Sequence, residues 1–195
     1  MDLDLDGPGA GRAVGRAGSG ATAAQPPPAA EPTSPTAMRA TAARFATGVV
    51  VLTVGGEQVH GMTANALSSV SLEPPLVLCC VARTAVMHQA ITAAGHFAFS
   101  VLAADQEDRA RYFANKARPL GPAQFDTVDW RPGPHTGAPL LAGSLAWMEC
   151  ELTDAHLAGD HSVFIGRVLG CGRGTGLSGL LFFEGTYREV VPLAG

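Results

Sequence analysis

The run Gly61-Met62-Thr63-Ala64-Asn65-Ala66-Leu67-Ser68-Ser69-Val70-Ser71-Leu72-Glu73-Pro74-Pro75-Leu76-Val77-Leu78 constrains the fold more than any other part of the chain. It opens on a glycine, which admits backbone conformations closed to other residues. Thr63, Asn65, Ser68, Ser69 and Ser71 then supply short polar groups that suit turns and crowd little around a flat ligand. Glu73-Pro74-Pro75 interrupts any hydrogen-bonded ladder, because proline has no N–H to donate. The segment therefore reads as a polar loop fed by one strand and drained by another. Such a rim is suited to a planar heterocycle, and equally to an ordinary serine-rich connection.

The 195 residues amount to about one domain with a sizeable core. Residues 1–37, rich in alanine, glycine and proline and without aromatics, are predicted to be a disordered extension. Order is predicted from 38, beginning with a helix at 38–46 that carries Met38, Ala42 and Phe45 on one face. A strand at 49–54, a turn at Gly55-Gly56-Glu57 and a strand at 58–63 lead into the polar loop. The continuous apolar run 76–82 predicts a strand buried on both sides. A helix at 85–94 stops at Gly95, a strand covers 96–102, and Asp105 is expected to cap a helix at 106–115. Residues 116–143 read as irregular around a short strand at 127–130. Strands at 144–155, 162–171 and 180–190 follow, with 192–195 as a tail. Gly170 to Gly176 reads as a flexible hairpin between the last two strands. Hairpin-linked strands with only a few helices predict a mainly β, closed antiparallel barrel with short peripheral helices. No G-x-G-x-x-G follows a strand and opens a helix, so the chain carries no Rossmann signature.

Charge and cysteine usage exclude several function classes. A net charge of −4 provides no basic face for nucleic acid. No apolar run reaches the roughly 18–20 residues of a membrane-spanning helix. The acidic start Met1-Asp2-Leu3-Asp4 does not resemble a secretory signal, and the expected setting is cytoplasmic. Cys79, Cys80, Cys150 and Cys171 form no C-x-x-C pair, and the histidines have no metal-ligand spacing, so no metal site is expected. Hydrolase motifs are missing too.

The wording of 61–78, with Gly95 to Leu102, Ala103-Ala104-Asp105-Gln106, Phe125-Asp126, Gly137 to Leu140, Glu149-Cys150 and Gly159-Asp160-His161 before Gly166, resembles the short-chain flavin reductases of two-component flavin-dependent monooxygenases. The likeness covers roughly residues 38–191. It is nearest to the FAD- and NADH-using reductases of actinobacterial natural-product (antibiotic) pathways. One departure is Ala66-Leu67, where many relatives have Ser-Phe; backbone contacts there are unaffected. The resemblance implies an FMN-binding split β-barrel of Greek-key type, usually a homodimer with flavin near the interface. It implies FAD as acceptor, with FMN as the alternative, and NADH as donor, with NADPH as the alternative. Reduced flavin would pass by diffusion to a partner monooxygenase.

Such an enzyme needs two rings stacked at near-contact distance more than it needs an acid or base. Backbone groups at Thr63, Ala64, Asn65 and Ala66 are candidates for hydrogen bonds to the flavin ring. The Asn65 amide can donate and accept, or merely form a turn. Val81-Ala82-Arg83-Thr84 runs into a helix start, where free N–H groups, a guanidinium and a hydroxyl suit a phosphate; Thr84 as a simple cap is the other reading. His161, in its Gly-Asp-His setting, is the candidate catalytic residue on the nicotinamide side. With the resemblance, the full expected set is Met62, Thr63, Ala64, Asn65, Ala66, Ser68, Ser69, Cys80, Val81, Ala82, Arg83, Thr84, Asp160, His161 and Tyr187. Two rival readings share the fold: a tightly held flavin with another redox role, and a non-catalytic flavin-binding module.

Overall fold

The computed structural model describes residues 33–190; the expected disorder of the first 32 residues and the tail at 192–195 lie outside the described residues. Helix α1 spans Pro35–Ala42. Ser34 is its N-cap, with Oγ accepting the Ala37 N–H at 3.1 Å. Pro35 follows at the first helical position, where a missing N–H costs nothing. The cap explains why the helix starts three residues before the expected Met38. None of its residues is buried, and Met38 and Phe45, expected on one helix face, are 63% and 75% exposed.

After α1 come β1 (Thr47–Gly48), β2 (Val50–Val54), β3 (His60–Ala64), β4 (Leu67–Leu72) and β5 (Pro75–Ala82). Helix α2 (Val86–Ala94) and β6 (His96–Val101) follow, then α3 (Glu107–Ala114). The chain continues with β7 (Trp130–Pro132), β8 (Pro139–Leu141), β9 (Ala146–Ala158), β10 (His161–Arg173), β11 (Leu180–Phe183) and β12 (Thr186–Glu189). Seven strands pair antiparallel in the order β3-β2-β6-β9-β10-β5-β4. Its two edge strands, β3 and β4, are joined by Asn65 and Ala66 alone. A flat seven-stranded sheet would hold its edges about 29 Å apart, whereas two linking residues reach about 11 Å at most. The sheet therefore rolls until its edges meet at Asn65-Ala66, without β3 and β4 pairing. This is the expected antiparallel split barrel, and the split runs from the polar segment.

Two large clusters and a small one at Ala98, Ala138 and Leu140 fill the interior among the described residues. Leu52, Val54, Cys79, Met87, Ile91, Phe97, Phe99 and Phe164 are buried together, with α2 packed against them. The opposite face of β2 sends Val49 and Val51 into a second cluster with Leu102, Phe113, Phe125 and Leu180. Burying each of these larger side chains contributes about 1.5–3 kcal/mol. Gly95 ends α2 in the left-handed conformation at φ 68°, as expected of a glycine stop.

Several expectations are corrected. Residues 67–72, read as loop, form β4, because the chain turns at Glu73-Pro74 and Pro75 opens β5, which pairs antiparallel with them. β5 is not buried on both sides: Val77, Cys79 and Val81 face the core while Leu76, Leu78, Cys80 and Ala82 are only partly covered. Burial along both faces is found instead in β2 and in the short β8. Asp105 is not a helix cap; the Gln106 side chain instead accepts the Ala103 N–H at 3.0 Å. The short strand expected at 127–130 lies at Trp130–Pro132, and 180–190 is a hairpin, not one strand. Gly170 and Gly172, read as part of a hairpin, belong to β10, where they pair with Glu149 and Trp147 of β9; a Cβ at either would come about 2.7 Å from the His135 or Trp147 ring.

Candidate functional site

The β3–β4 junction opens onto a cleft of about 900 Å³. Asn65, Ala66, Leu67 and Ser68 form one wall, with Leu78 and Cys80 of β5 as a floor. Opposite them stand Arg39, Ala42 and Ala43 of α1 and the segment Phe45 to Gly48. Asn65 Nδ2 donates to Thr47 Oγ1 at 3.1 Å, linking the two walls. The Ala66 carbonyl accepts the Cys80 N–H at 3.0 Å, while the N–H groups of Asn65 and Ala66 have no partner among the described residues. Of the expected residues, Asn65, Ala66, Ser68 and Cys80 share this cleft.

Thr63, Ala64 and Tyr187 line a recess of about 130 Å³ that shares Asn65 and Phe182 with the cleft. Thr63 Oγ1 is committed to the Ala110 carbonyl at 2.7 Å, so its hydroxyl locks β3 to α3. Tyr187 packs on Phe182 at 5.3 Å, with the Arg111 guanidinium 5.0 Å from its ring centre. Burial raises the Tyr187 phenol above its usual value; Arg111 opposes this rise and Glu107 adds to it. Met62 packs against the main core, Val81 is buried in it, and Ser69 lies exposed outside the cleft. Val81 can therefore offer a ligand only its backbone.

A third group gathers at the far end of β5. His161 pairs in register with Ala82, and the Arg83 N–H donates to the Asp160 carbonyl at 2.9 Å. The His161 Nδ1 lies 2.7 Å from Asp160 Oδ1. That hydrogen bond, with the charge of His161, holds the exposed Asp160 carboxyl below its usual range. Arg83 and Thr84 are exposed and immediately precede α2. Thr84 does not cap that helix: Ala85 is the N-cap, with no side-chain hydrogen bond. An uncapped helix start beside a guanidinium and a hydroxyl is suited to an anion. Behind it, His88 Nε2 meets the buried Ser162 Oγ at 2.9 Å, tying α2 to the head of β10.

Sequence reasoning missed the α1 wall, Phe45 to Gly48, and Phe182. Phe45 carried a signal of a kind, as the first aromatic of the chain next to Thr47-Gly48. For Phe182 there was none, since its place depends on β11 pairing with β1 across the fold. No group of metal-ligating side chains occurs among the described residues. Among them too, no helix is long and apolar enough to cross a membrane.

The chain matches the flavin reductase like domain over residues 42–191. It is 52% identical over 148 residues to an NADH-dependent FAD reductase of Streptomyces globisporus, covering 76% of this chain and 81% of that protein. An NADH-dependent flavin reductase of Rhodococcus is 38% identical over 161 residues, 80% of this chain and 87% of that one. Among solved structures, the NADH:FAD oxidoreductase of Streptomyces globisporus superimposes with a TM-score of 0.78 at 48% identity, covering 85% of this chain and all of that one. That oxidoreductase has also been solved with NAD and FAD fragments. BorF, the flavin reductase component of a bacterial two-component tryptophan halogenase, gives a TM-score of 0.77 at 48% identity, covering 80% and 97%. With its rolled sheet, its open seam and these likenesses over most of its length, the chain belongs to the flavin reductase like domain family.

Proposed function

We infer that this chain is an NADH-dependent flavin reductase that takes FAD as an exchangeable acceptor and delivers reduced flavin to a separate monooxygenase. The observation that carries this reading is the seam: Asn65-Ala66 joins two unpaired sheet edges at the mouth of a cleft of about 900 Å³. The cleft suits a flavin, because its floor is apolar, its nearest side chains are short, and two backbone N–H groups remain to be satisfied there. When both are bound, the reduced nicotinamide supplies a hydride and the flavin ring accepts it.

The residues of the chain then bind, orient and exclude water. The N–H groups of Asn65 and Ala66 donate to the ring edge, and Leu78 and Cys80 keep water from one face. Arg83, Thr84 and the uncapped start of α2 hold the flavin phosphate. The Asp160 carboxylate pairs with His161 Nδ1 and orients the ring, turning Nε2 toward the nicotinamide carboxamide. Because Ala82 and His161 are paired neighbours, the phosphate side and the nicotinamide side are set by one piece of sheet. This geometry is what a positioning catalyst requires.

The reading includes a homodimer and a cytoplasmic setting. β4 is an edge strand with Val70 and Leu72 exposed at 48% and 77%, an apolar strip of the kind a second subunit covers. All four cysteines are free thiols, in keeping with a reducing compartment. NADH oxidation by the purified chain, with FAD, FMN and riboflavin each in excess and with NADPH replacing NADH, tests the activity. Saturable turnover in added FAD with NADH is expected. Turnover that ignores added flavin, or none at all, overturns the reading. Light scattering at micromolar concentration tests the dimer, whose mass should be twice that of the chain.

A further inference from the structure

The cleft is larger than its flavin-facing wall explains, and its other wall is unaccounted for. α1 buries none of its residues, yet it stands over the cleft with Arg39, Ala42 and Ala43 on the lining. Among the described residues, Arg39 is the only charged side chain on that lining, which holds no carboxylate. It makes no salt bridge or side-chain hydrogen bond among the described residues, whereas the neighbouring Arg44 is paired with Glu184. Phe45, 75% exposed, lines the same cleft. An unpaired cation and a bare aromatic ring along one apolar wall are complementary to a phosphate followed by a flat base. A guanidinium holds phosphate oxygens by paired charge-assisted bonds, and an aromatic face stacks a purine. Arg39 also precedes the 42–191 stretch that matches the family, so it is not part of the matched domain.

Resting on the reductase reading above, we propose that Arg39 and Phe45 form a subsite for the adenosine monophosphate half of FAD, the part that FMN lacks, making α1 the element that favours FAD over FMN. The same chemistry is carried by NADH, whose other half is likewise an adenosine monophosphate. FAD is the assignment because this wall faces Asn65 and Ala66 across one cleft, linked through Thr47 and Asn65. His161 and Asp160 do not line that cleft.

Arg39→Gln and Phe45→Leu in the full chain provide the test, with flavin affinity read by fluorescence quenching and turnover read by NADH oxidation. Losing a charge-assisted contact should raise the FAD dissociation constant on the order of tenfold. FMN and riboflavin should bind as they do to the unaltered chain. With FMN as acceptor, the KM for NADH should be unchanged. An equal loss for all three flavins would place both residues elsewhere in ring binding and overturn the subsite, leaving the reductase reading intact. A raised NADH KM with FMN would give the wall to the dinucleotide donor and overturn the assignment to FAD. A fall in molecular mass by light scattering without any FAD-selective loss would make α1 a subunit contact and overturn it also. If the unaltered chain reduces no flavin, the reductase reading itself falls, and the subsite with it.

Discussion

Asn65 Nδ2 donates to Thr47 Oγ1 at 3.1 Å, so the seam residue of the barrel is tied directly to the opposite wall of the cleft. The bond orients the amide and leaves its carbonyl oxygen without a partner among the described residues. Asn65→Leu should therefore weaken flavin binding by about 1–3 kcal/mol, a dissociation constant raised roughly five- to hundredfold. The melting temperature should hardly move, because the lost bond is exposed. Fluorescence titration against thermal unfolding separates the two effects, and an unchanged dissociation constant would leave Asn65 only its wall-linking role.

His161 projects from the first position of β10, after Gly159 at φ 63°, with Asp160 oriented against its Nδ1. His161→Ala should raise the KM for NADH and lower kcat while flavin affinity stays level. A displacement of about 1 Å in a hydride-transfer geometry can cost on the order of a hundredfold in rate. Steady-state kinetics at saturating FAD give the result. A change in KM alone assigns binding only, and normal turnover with poor flavin binding moves His161 to the flavin.

The buried His60 gives stability a pH dependence. Desolvation, with the Arg118 guanidinium 3.3 Å from its ring nitrogen, lowers its pKa from 6.5 to about 4. The folded pKa lies below the unfolded one, so the unfolded chain binds the extra proton between them. The contribution is fully present above pH 6.5 and is lost as pH falls through about 4. Thermal unfolding from pH 7 to 4 should show this slope, and His60→Asn should flatten it.

Glu149 is wholly buried on β9 and anchors the connection between β7 and β8. Its Oε1 accepts the Thr136 N–H and hydroxyl at 2.8 Å each and the His135 N–H at 3.1 Å. Gly133 is required beside it, since a Cβ there would lie 2.2 Å from Oε1. Glu149→Ala orphans these buried donors and leaves a cavity, costing about 3–5 kcal/mol by denaturant unfolding. Flavin affinity per folded molecule should survive.

The N-terminal boundary is testable by truncation. We propose that a chain starting at Thr33 keeps full turnover, because it retains the Ser34 cap of α1. Starting at Thr36 removes the cap and Pro35, loosening α1 by about 1 kcal/mol. By the subsite proposal, this shorter chain should lose FAD affinity selectively.

Local physics made much of the chain legible from its residues. The β-branched run at Val49 to Val54, the glycine stop at Gly95 and the alternation through Met148, Cys150 and Leu152 each state their own conformation. Gly61 to Leu78 marked the ligand end of the fold by the small size of its side chains and the proline break after them. What lay beyond local reading was whatever depends on closure. Residues 67–72 look like loop until β5 turns back on them, and Asn65-Ala66 becomes a seam only once seven strands have rolled. The Glu149 carboxyl reads as the outward half of an alternating strand, yet it is buried because a distant loop brings it three hydrogen bonds. Phe45 reads as the last apolar residue of a helix face, yet α1 ends before it and leaves it 75% exposed on the cleft lining. Periodicity records which side chains share a face, but which faces meet is decided by packing among residues far apart in the chain.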